Sequence, residues 1–217
     1  MTELQAIRER HSVRAYQNRP IQPELSQALK ERIIQLNEKY DLHMQYMEPA
    51  GAVFSRISNK FTGFRDVPAY IAMVGKRTDD LDERCGYVGE QLVLYAQALG
   101  LNTCWAGIFK RKQVAAVIGE GEKLVLVIAV GYGADQGRTR KSKQIADVTD
   151  VKDMPDWFKA GVEAALLAPT AVNQQKFFFT LDGDTPKVSV SANGPFVKLD
   201  SGIVKYHFEV GSGKRIL

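Results

Sequence analysis

The chain carries Arg10-His11-Ser12-Val13-Arg14 near its start and Ala168-Pro169-Thr170-Ala171-Val172-Asn173-Gln174-Gln175 near its end, and these two segments are its most informative features. The first places two guanidinium groups and a hydroxyl close together, and these are the donors that a phosphate monoester binds. The second has a proline bend after an apolar helical pattern, followed by amide-bearing residues that can meet the polar edge of a flat heterocycle. Together they predict a phosphorylated, ring-bearing cofactor.

Bulk composition is compatible with such a protein. A length of 217 residues suffices for one domain with a full core, and 45% hydrophobic with 25% charged residues is typical of a soluble globular chain. The net charge of +4 suits anionic ligands. The densest basic cluster comprises Arg138, Arg140, Lys141 and Lys143. Its polar, glycine-flanked setting favours a solvated loop over a phosphate or nucleic-acid contact.

The two cysteines and the N-terminus indicate the compartment. Neither Cys85 nor Cys104 has the spacing of a zinc-ligand set, so we predict no metal site and expect both thiols to be reduced. The N-terminus has no signal-peptide pattern, and no apolar run approaches the ~20 residues that a membrane helix needs. We therefore expect a soluble cytoplasmic protein that contacts neither membrane nor nucleic acid.

Hydrophobic periodicity predicts a mixture of helices and short strands. Helices are expected over 3–10, 23–40, 80–99 and 157–167, with a short polar helix from about Lys110 and a last helix to about Val210 after Asp200 as N-cap. Strands are expected over 42–47, 67–75, 124–130, 177–181 and 188–190, with an irregular stretch over 48–64. This pattern predicts an α+β fold with a central, mostly antiparallel sheet surrounded by helices. The helices near 87–99 and 157–167 are too apolar for an exposed surface, which favours a homodimer.

Four segments resemble the nitroreductase family of FMN-dependent, homodimeric flavoproteins. They are residues 7–16, the segment Gly100-Leu101-Asn102-Thr103-Cys104-Trp105-Ala106-Gly107, residues 168–175 and Gly213-Lys214-Arg215. Thr170 stands where the family usually has serine. In most of the family, the segment that corresponds to residues 168–175 follows soon after the N-terminal segment that corresponds to residues 7–16. In this chain the two lie almost the whole chain apart. The chain therefore resembles a subgroup with rearranged motif order, and which subunit supplies each flavin contact stays open.

The resemblance implies a single nitroreductase-like FMN-binding domain over residues 1–217. It implies these cofactor-binding residues: Arg10, His11, Ser12, Arg14, Trp105, Ala106, Gly107, Pro169, Thr170, Asn173, Lys214 and Arg215. His11 would act through its backbone, and no side chain is assigned as catalytic because the flavin carries the chemistry. Trp105 either lies along the flavin or belongs to the core. The absence of a Gly-x-Gly-x-x-Gly unit favours FMN over FAD.

The implied activity is an NAD(P)H-dependent flavoenzyme that passes hydride through the flavin to a nitroaromatic, quinone or similar small acceptor. Two other hypotheses stay open. One is a flavin-binding protein for storage or sensing with little turnover, and the other is a basic nucleic-acid-binding module. NADH or NADPH preference has no sequence signal here, because no contact to the ribose 2′-phosphate can be assigned.

Overall fold

The computed structural model describes residues 1–54, 62–191 and 193–217, so part of the irregular stretch over 48–64 lies outside the described residues. The helices are α1 (Glu3–Glu9), α2 (Pro23–Tyr40), α3 (Leu81–Ala98), α4 (Asp156–Ala165) and α5 (Val197–Ser212). The strands are β1 (Gln45–Met47), β2 (Ala69–Lys76), β3 (Asn102–Ala106), β4 (Glu122–Gly131), β5 (Phe177–Asp182) and β6 (Thr185–Val190).

The chain forms two compact units, each discontinuous in sequence. The sheet unit comprises residues 10–81 and 92–139, and the helical unit comprises residues 1–9, 82–91 and 140–217. Helix α3 contributes its first half to the helical unit and its second half to the sheet unit. The single domain over residues 1–217 stays a prediction.

The sheet unit is built around β2 and β4, the two longest apolar runs. Its strand order is β1-β2-β4-β3, and each neighbouring pair is antiparallel, as predicted. All residues of β2 except Lys76 are buried, because the apolar run is covered on both faces of the sheet. Helix α2 begins with Pro23 at its first turn, and its Leu29 packs with Ala69 and Val130 in one buried cluster.

The helical unit packs α4 and α5 against the first half of α3. A side chain at Gly86 would clash with the carbonyl oxygen of Leu199, and one at Gly202 would clash with that of Glu83, so glycine allows α3 and α5 to approach closely. Phe208 on α5 lies 5.1 Å from the ring of Phe179 and 5.7 Å from that of Phe158. These aromatic contacts form a core between α4, α5 and the β5–β6 hairpin.

The longer predicted helices are present, and three local predictions need correction. Helix α5 begins at Val197, with Phe196 as its N-cap, so Asp200 lies in the first turn and its carboxylate accepts from the Ala171 N–H of a neighbouring loop. Strand β1 begins at Gln45, three residues later than predicted, and the helix expected near Lys110 is only a 3₁₀ turn. Strand β3 was not predicted, since its short pattern of polar and apolar residues has no clear period.

The apolar faces of α3 and α4 are covered within a single chain. Val88, Leu92 and Val93 of α3 and Phe158 and Val162 of α4 are all buried. These apolar faces therefore no longer favour a homodimer. The homodimer stays a prediction. Within the described residues, the helices are all too short or too polar to cross a membrane.

Candidate functional site

The Arg10–Arg14 segment runs as extended chain beside β3 in the sheet unit. Ser12 forms a parallel bridge with Thr103, and the Val13 N–H donates to the Thr103 carbonyl at 3.1 Å. Val13 is fully buried whereas Arg14 is exposed, as expected when successive side chains of an extended segment point in opposite directions. The buried residues fix the register and so hold the polar ones along β3.

Three of the predicted phosphate-binding side chains influence the buried thiol of Cys104 in β3. Arg10 is 3% exposed, and its Nη2 donates to the Ser12 hydroxyl at 3.3 Å. Burial raises the pKa of the Cys104 thiol, while Arg14, Arg10 and a hydrogen bond with Ser12 act in the opposite direction. Arg10 and Ser12 are therefore in direct contact, and Arg14 follows two residues later on the same extended segment.

His11 lies beside the turn over residues 133–137. Gly137 has a φ of +76°, and a side chain there would bring its Cβ within 2.8 Å of the His11 Cβ. Asp135 accepts a hydrogen bond from the Gly137 N–H at 2.8 Å and closes the turn. The Cβ of His11 therefore lies close to Gly137, and the predicted use of the His11 backbone stays a prediction.

Trp105, Ala106 and Gly107 lie at the end of β3 in the same unit. Ala106 is buried in the same core cluster as Cys104, and Trp105 between them is half-buried. Because neighbouring residues in a strand point to opposite faces, the Trp105 side chain lies on the face away from that cluster. Both alternatives for Trp105, along the flavin or in the core, stay predictions.

The helical unit carries the Ala168–Gln175 segment as a loop that follows α4. Pro169 and Thr170 are half-buried, and the Thr170 hydroxyl accepts a hydrogen bond from the Gln175 N–H at 3.1 Å. The exposed Asn173 donates through Nδ2 to the Lys141 carbonyl at 2.8 Å. The predicted bend is thus a closed loop whose Thr170 and Asn173 are held by backbone contacts.

Two buried polar residues that were not predicted as site residues support this loop. The Gln175 side chain donates to the Leu166 carbonyl at 3.0 Å and accepts from the Lys143 N–H at 2.9 Å. The Asp200 carboxylate accepts from the Ala171 N–H at 3.0 Å. Burial raises the pKa of Asp200 to about 6, against the opposing effect of its hydrogen bonds. Gln175 could have been predicted, because it belongs to the Ala168–Gln175 segment. The contact of Asp200 with Ala171 has no signal in the sequence.

The backbone of the loop is left-handed at three non-glycine residues. Val172, Asn173 and Gln175 have φ values of +47°, +54° and +44°. Val172 is the least expected of these, since it is β-branched, and its side chain is 89% exposed. Such conformations persist only where surrounding contacts hold them, and they concentrate at ligand sites.

The predicted C-terminal contacts lie elsewhere in the helical unit. The Lys214 ammonium sits 3.9 Å from the ring centre of Trp157, in the first turn of α4, and the Leu217 N–H donates to the Pro186 carbonyl. Ten residues of α4 separate its two ends by about 15 Å, and the Ala168–Gln175 loop follows the far end. Lys214 and this loop are therefore not brought together, and Arg215 follows Lys214 in the exposed tail.

The predicted residues thus form two local groups and a tail. Arg10, His11, Ser12 and Arg14 lie on one extended segment of the sheet unit, and residues 105–107 lie at the end of the neighbouring strand β3. Pro169, Thr170 and Asn173 share one loop of the helical unit. Among the described residues there is no group of three His, Cys, Asp or Glu side chains that could hold a metal ion.

Solved structures share this fold. A putative nitroreductase from Thermotoga maritima MSB8 matches with a TM-score of 0.67 and 22% identity, over 97% of this chain and 83% of that chain. A putative nitroreductase from Desulfovibrio desulfuricans, solved in complex with FMN, matches with a TM-score of 0.56 and 19% identity, over 71% of this chain and 99% of that chain. An FMN-dependent nitroreductase from Clostridium difficile R20291 matches with a TM-score of 0.50 and 15% identity, over 69% and 96%. The fold is therefore nitroreductase-like, as predicted.

The family follows from the sequence as a whole. No curated protein sequence matches the chain. Residues 3–212 match the family model described as "Putative TM nitroreductase". Because this match covers nearly the whole chain, the chain belongs to this nitroreductase family, which confirms the resemblance seen in the four segments.

Proposed function

We propose that the chain binds FMN and acts as an oxidoreductase that takes hydride from NAD(P)H and reduces a nitroaromatic, quinone or similar small acceptor. The observation that carries this proposal is the contact of the buried Arg10 guanidinium with the Ser12 hydroxyl beside β3, with Arg14 two residues further along the same extended segment. Nitroreductase family membership supports the reaction class.

The donor set fits a terminal phosphate. Arg10 and Arg14 are always charged and can each offer a planar fork of donors, and Ser12 adds a short hydroxyl. The Arg10 charge is buried, and a buried charge stabilises a nearby anion more than an exposed one does, because less water screens the interaction. A phosphate monoester, with its two negative charges, matches this group better than a neutral ligand would.

FMN is the proposed cofactor for two reasons. Its single phosphate matches one compact cluster, and the sequence lacks the glycine-rich unit that binds the pyrophosphate of FAD. The Desulfovibrio desulfuricans relative was solved with FMN, and the Clostridium difficile relative is described as FMN-dependent. At 19% and 15% identity, these relatives support the proposal through the shared fold.

When bound, the flavin would supply the two-electron chemistry, and this chain would bind and orient it. We assign the phosphate to Arg10, Ser12 and Arg14, with the backbone of His11 alongside. We assign the flat ring to the half-buried end of β3 at Trp105 and Gly107, since a ring can approach glycine closely.

For the polar edge of a flavin ring we propose the loop over residues 168–175, and which subunit supplies this contact stays open. The Thr170 hydroxyl already accepts from Gln175, so its own proton is the part that can be donated. The Asn173 amide nitrogen donates to Lys141, so its carbonyl oxygen is the part suited to a ring N–H. Pro169 sets the entry of this loop. Lys214 and Arg215 stay predicted phosphate contacts.

The experiment begins with apo protein and an FMN titration followed by flavin fluorescence. Bound flavin should then bleach under anaerobic conditions on addition of NADH or NADPH and recover its absorbance with a quinone or nitroaromatic. Binding without bleaching would favour the storage or sensing hypothesis. Failure to bind FMN would overturn the proposal, and a clear FAD peak on chromatography of the released native flavin would refute the choice of cofactor.

A further inference from the structure

The strained backbone of the helical unit is concentrated in two segments. Of the six non-glycine residues with positive φ in the described part of the chain, Val172, Asn173, Gln175 and Phe196 lie between residues 172 and 196. L-residues avoid this region because Cβ crowds the neighbouring carbonyl. Segments 171–175 and 195–200 therefore need contacts that hold them in place.

Asp200 supplies the central contact between these segments. Its Oδ1 and Oδ2 lie 3.0 and 3.1 Å from the Ala171 nitrogen, whose N–H points to the carboxylate. Its Oδ2 also accepts from Gln174 Nε2 at 2.7 Å. The same Gln174 nitrogen donates to the Pro195 carbonyl at 2.9 Å. Asp200 and Gln174 thus connect segments 171–175 and 195–200, and we call this pair the Asp200–Gln174 clamp.

A carboxylate is an unfavourable choice for this position if only stability matters. Asp200 is 5% exposed, and burial raises its pKa to about 6. Its contacts that oppose this shift, the Gln174 amide and the Ala171 N–H, are both neutral. An amide of the same shape would avoid the cost of burying a charge, but its NH₂ group would replace one accepting oxygen, and its neutral carbonyl oxygen would accept from the two donors more weakly than a carboxylate does.

We propose that Asp200 is a positioning residue that sets the shape of the loop over residues 171–175 for flavin binding. The inference rests on the proposed function, since that function assigns the loop to the flavin ring. The clamp orders the strained backbone before the cofactor arrives, so the cofactor does not have to order it.

The test compares Asp200→Asn with Asp184→Asn, which makes the same charge change at an exposed turn of the same unit. The affinity of the apo protein for FMN should fall about tenfold in Asp200→Asn, as expected for loss of a hydrogen bond to a charged group, and should not change in Asp184→Asn. The Tm of Asp200→Asn at pH 7 should equal or exceed that of the wild type. In the apo protein, the amide hydrogen of Ala171 should exchange faster.

A second variant tests whether the clamp acts as one unit. Gln174→Leu removes the donor to Asp200 and to Pro195, and its FMN affinity should also fall. The double variant with Asp200→Asn should lose little more than the single ones, because residues in one hydrogen-bond network are not additive. Fully additive losses would overturn the clamp as the source of the effect.

The outcomes separate this inference from the proposed function. Wild-type binding of FMN with unchanged affinity in Asp200→Asn overturns the positioning role and leaves the function standing. A fall in affinity accompanied by a lower Tm assigns Asp200 to general stability and also overturns it. If the wild type binds no FMN, the proposed function and the flavin role of Asp200 both fail, and the Ala171 exchange rate then reports on the clamp alone.

Discussion

The two local groups of the candidate site are built in opposite ways. The Arg10–Arg14 segment is an extended chain whose register is set by buried Val13, and its recognition groups are charged side chains. The Ala168–Gln175 loop is left-handed at three non-glycine residues, and its groups are neutral amides and hydroxyls held by buried Gln175 and Asp200. The first group suits tight binding of an anion. The second suits orientation of a ring.

The comparison shows that anion binding and ring orientation place different energetic demands on the folded chain. Charge supplies affinity without strained backbone, because a guanidinium reaches its partner through a long side chain. Orienting a ring needs backbone groups at fixed positions. In this loop those positions require unfavourable φ angles and a buried carboxylate. Variants in the two groups should therefore differ in kind as well as in size.

The largest effect is expected in the pH dependence of stability. The folded chain raises the pKa of Asp200 from 3.8 to about 6, so it binds this proton more tightly than the unfolded chain does. The stabilisation is complete below about pH 4 and is lost as pH rises through 6, which lowers the free energy of unfolding by about 3 kcal/mol. Denaturant titrations between pH 4 and 7 should show this loss in the wild type and not in Asp200→Asn. Parallel curves for the two proteins would contradict it.

The arginines should give the next largest effect, on affinity. Arg10→Ala removes a charge-assisted contact of about 1.5–3 kcal/mol, so FMN affinity should fall roughly ten- to hundredfold. Arg14→Ala should lose less than Arg10→Ala, because Arg14 is exposed and better screened. Arg8→Ala, an exposed neighbour on α1, is the control. His11→Ala should be much milder. Normal binding in both site arginine variants together with loss of turnover in His11→Ala would point to acid–base chemistry instead.

Neutral contacts of the loop should matter less. Thr170→Val keeps the shape of the side chain and removes its hydroxyl, and Asn173→Ala removes an amide. Each loses a neutral hydrogen bond of about 0.5–1.5 kcal/mol, so FMN affinity should fall about three- to tenfold. Thr180→Val, at an exposed position of β5, is the control. A loss larger than that of Arg10→Ala would reverse the roles given to the two groups.

The smallest effect tests the strain itself. Val172→Gly relieves a β-branched residue at a φ of +47° and should stabilise the fold by about 0.5–1 kcal/mol, after allowance for the greater freedom of glycine in the unfolded chain. Val117→Gly, at an exposed residue without positive φ, should destabilise by a similar amount. Urea unfolding of both variants measures this difference. Destabilisation by Val172→Gly would show that the side chain outweighs the strain.

Sequence patterns predicted the elements whose signals are local. Helix α2 was predicted over its full length, because Pro23 opens it and apolar residues recur at helical spacing. The apolar runs predicted β2 and β4, and the strands expected over 177–181 and 188–190 are the two strands of the β5–β6 hairpin. Strand β3 was not predicted, because it is formed by pairing with β4 and with Ser12, which are both distant in sequence.

In the candidate site, too, features with a local sequence signal were predicted and long-range contacts were not. Residue types at short spacing were enough to predict a phosphate-binding cluster at Arg10, Ser12 and Arg14, since guanidinium and hydroxyl groups carry that chemistry wherever they meet. The motif at 168–175 was recognisable by itself. The role of Asp200 was not, because a helix N-cap and a buried clamp use the same residue type and differ only in what packs beside it.

By itself, the amino-acid sequence determined the fold class, the family and the chemical character of the two local groups, because these depend on residue identity and local periodicity. Only the tertiary structure decided that Ser12 pairs with Thr103 of β3, that Lys214 lies at the other end of α4 from the loop, and that Asp200 holds Ala171. The physical reason is that these contacts join segments far apart in the chain. Their energies come from burial and close approach, which no local pattern encodes.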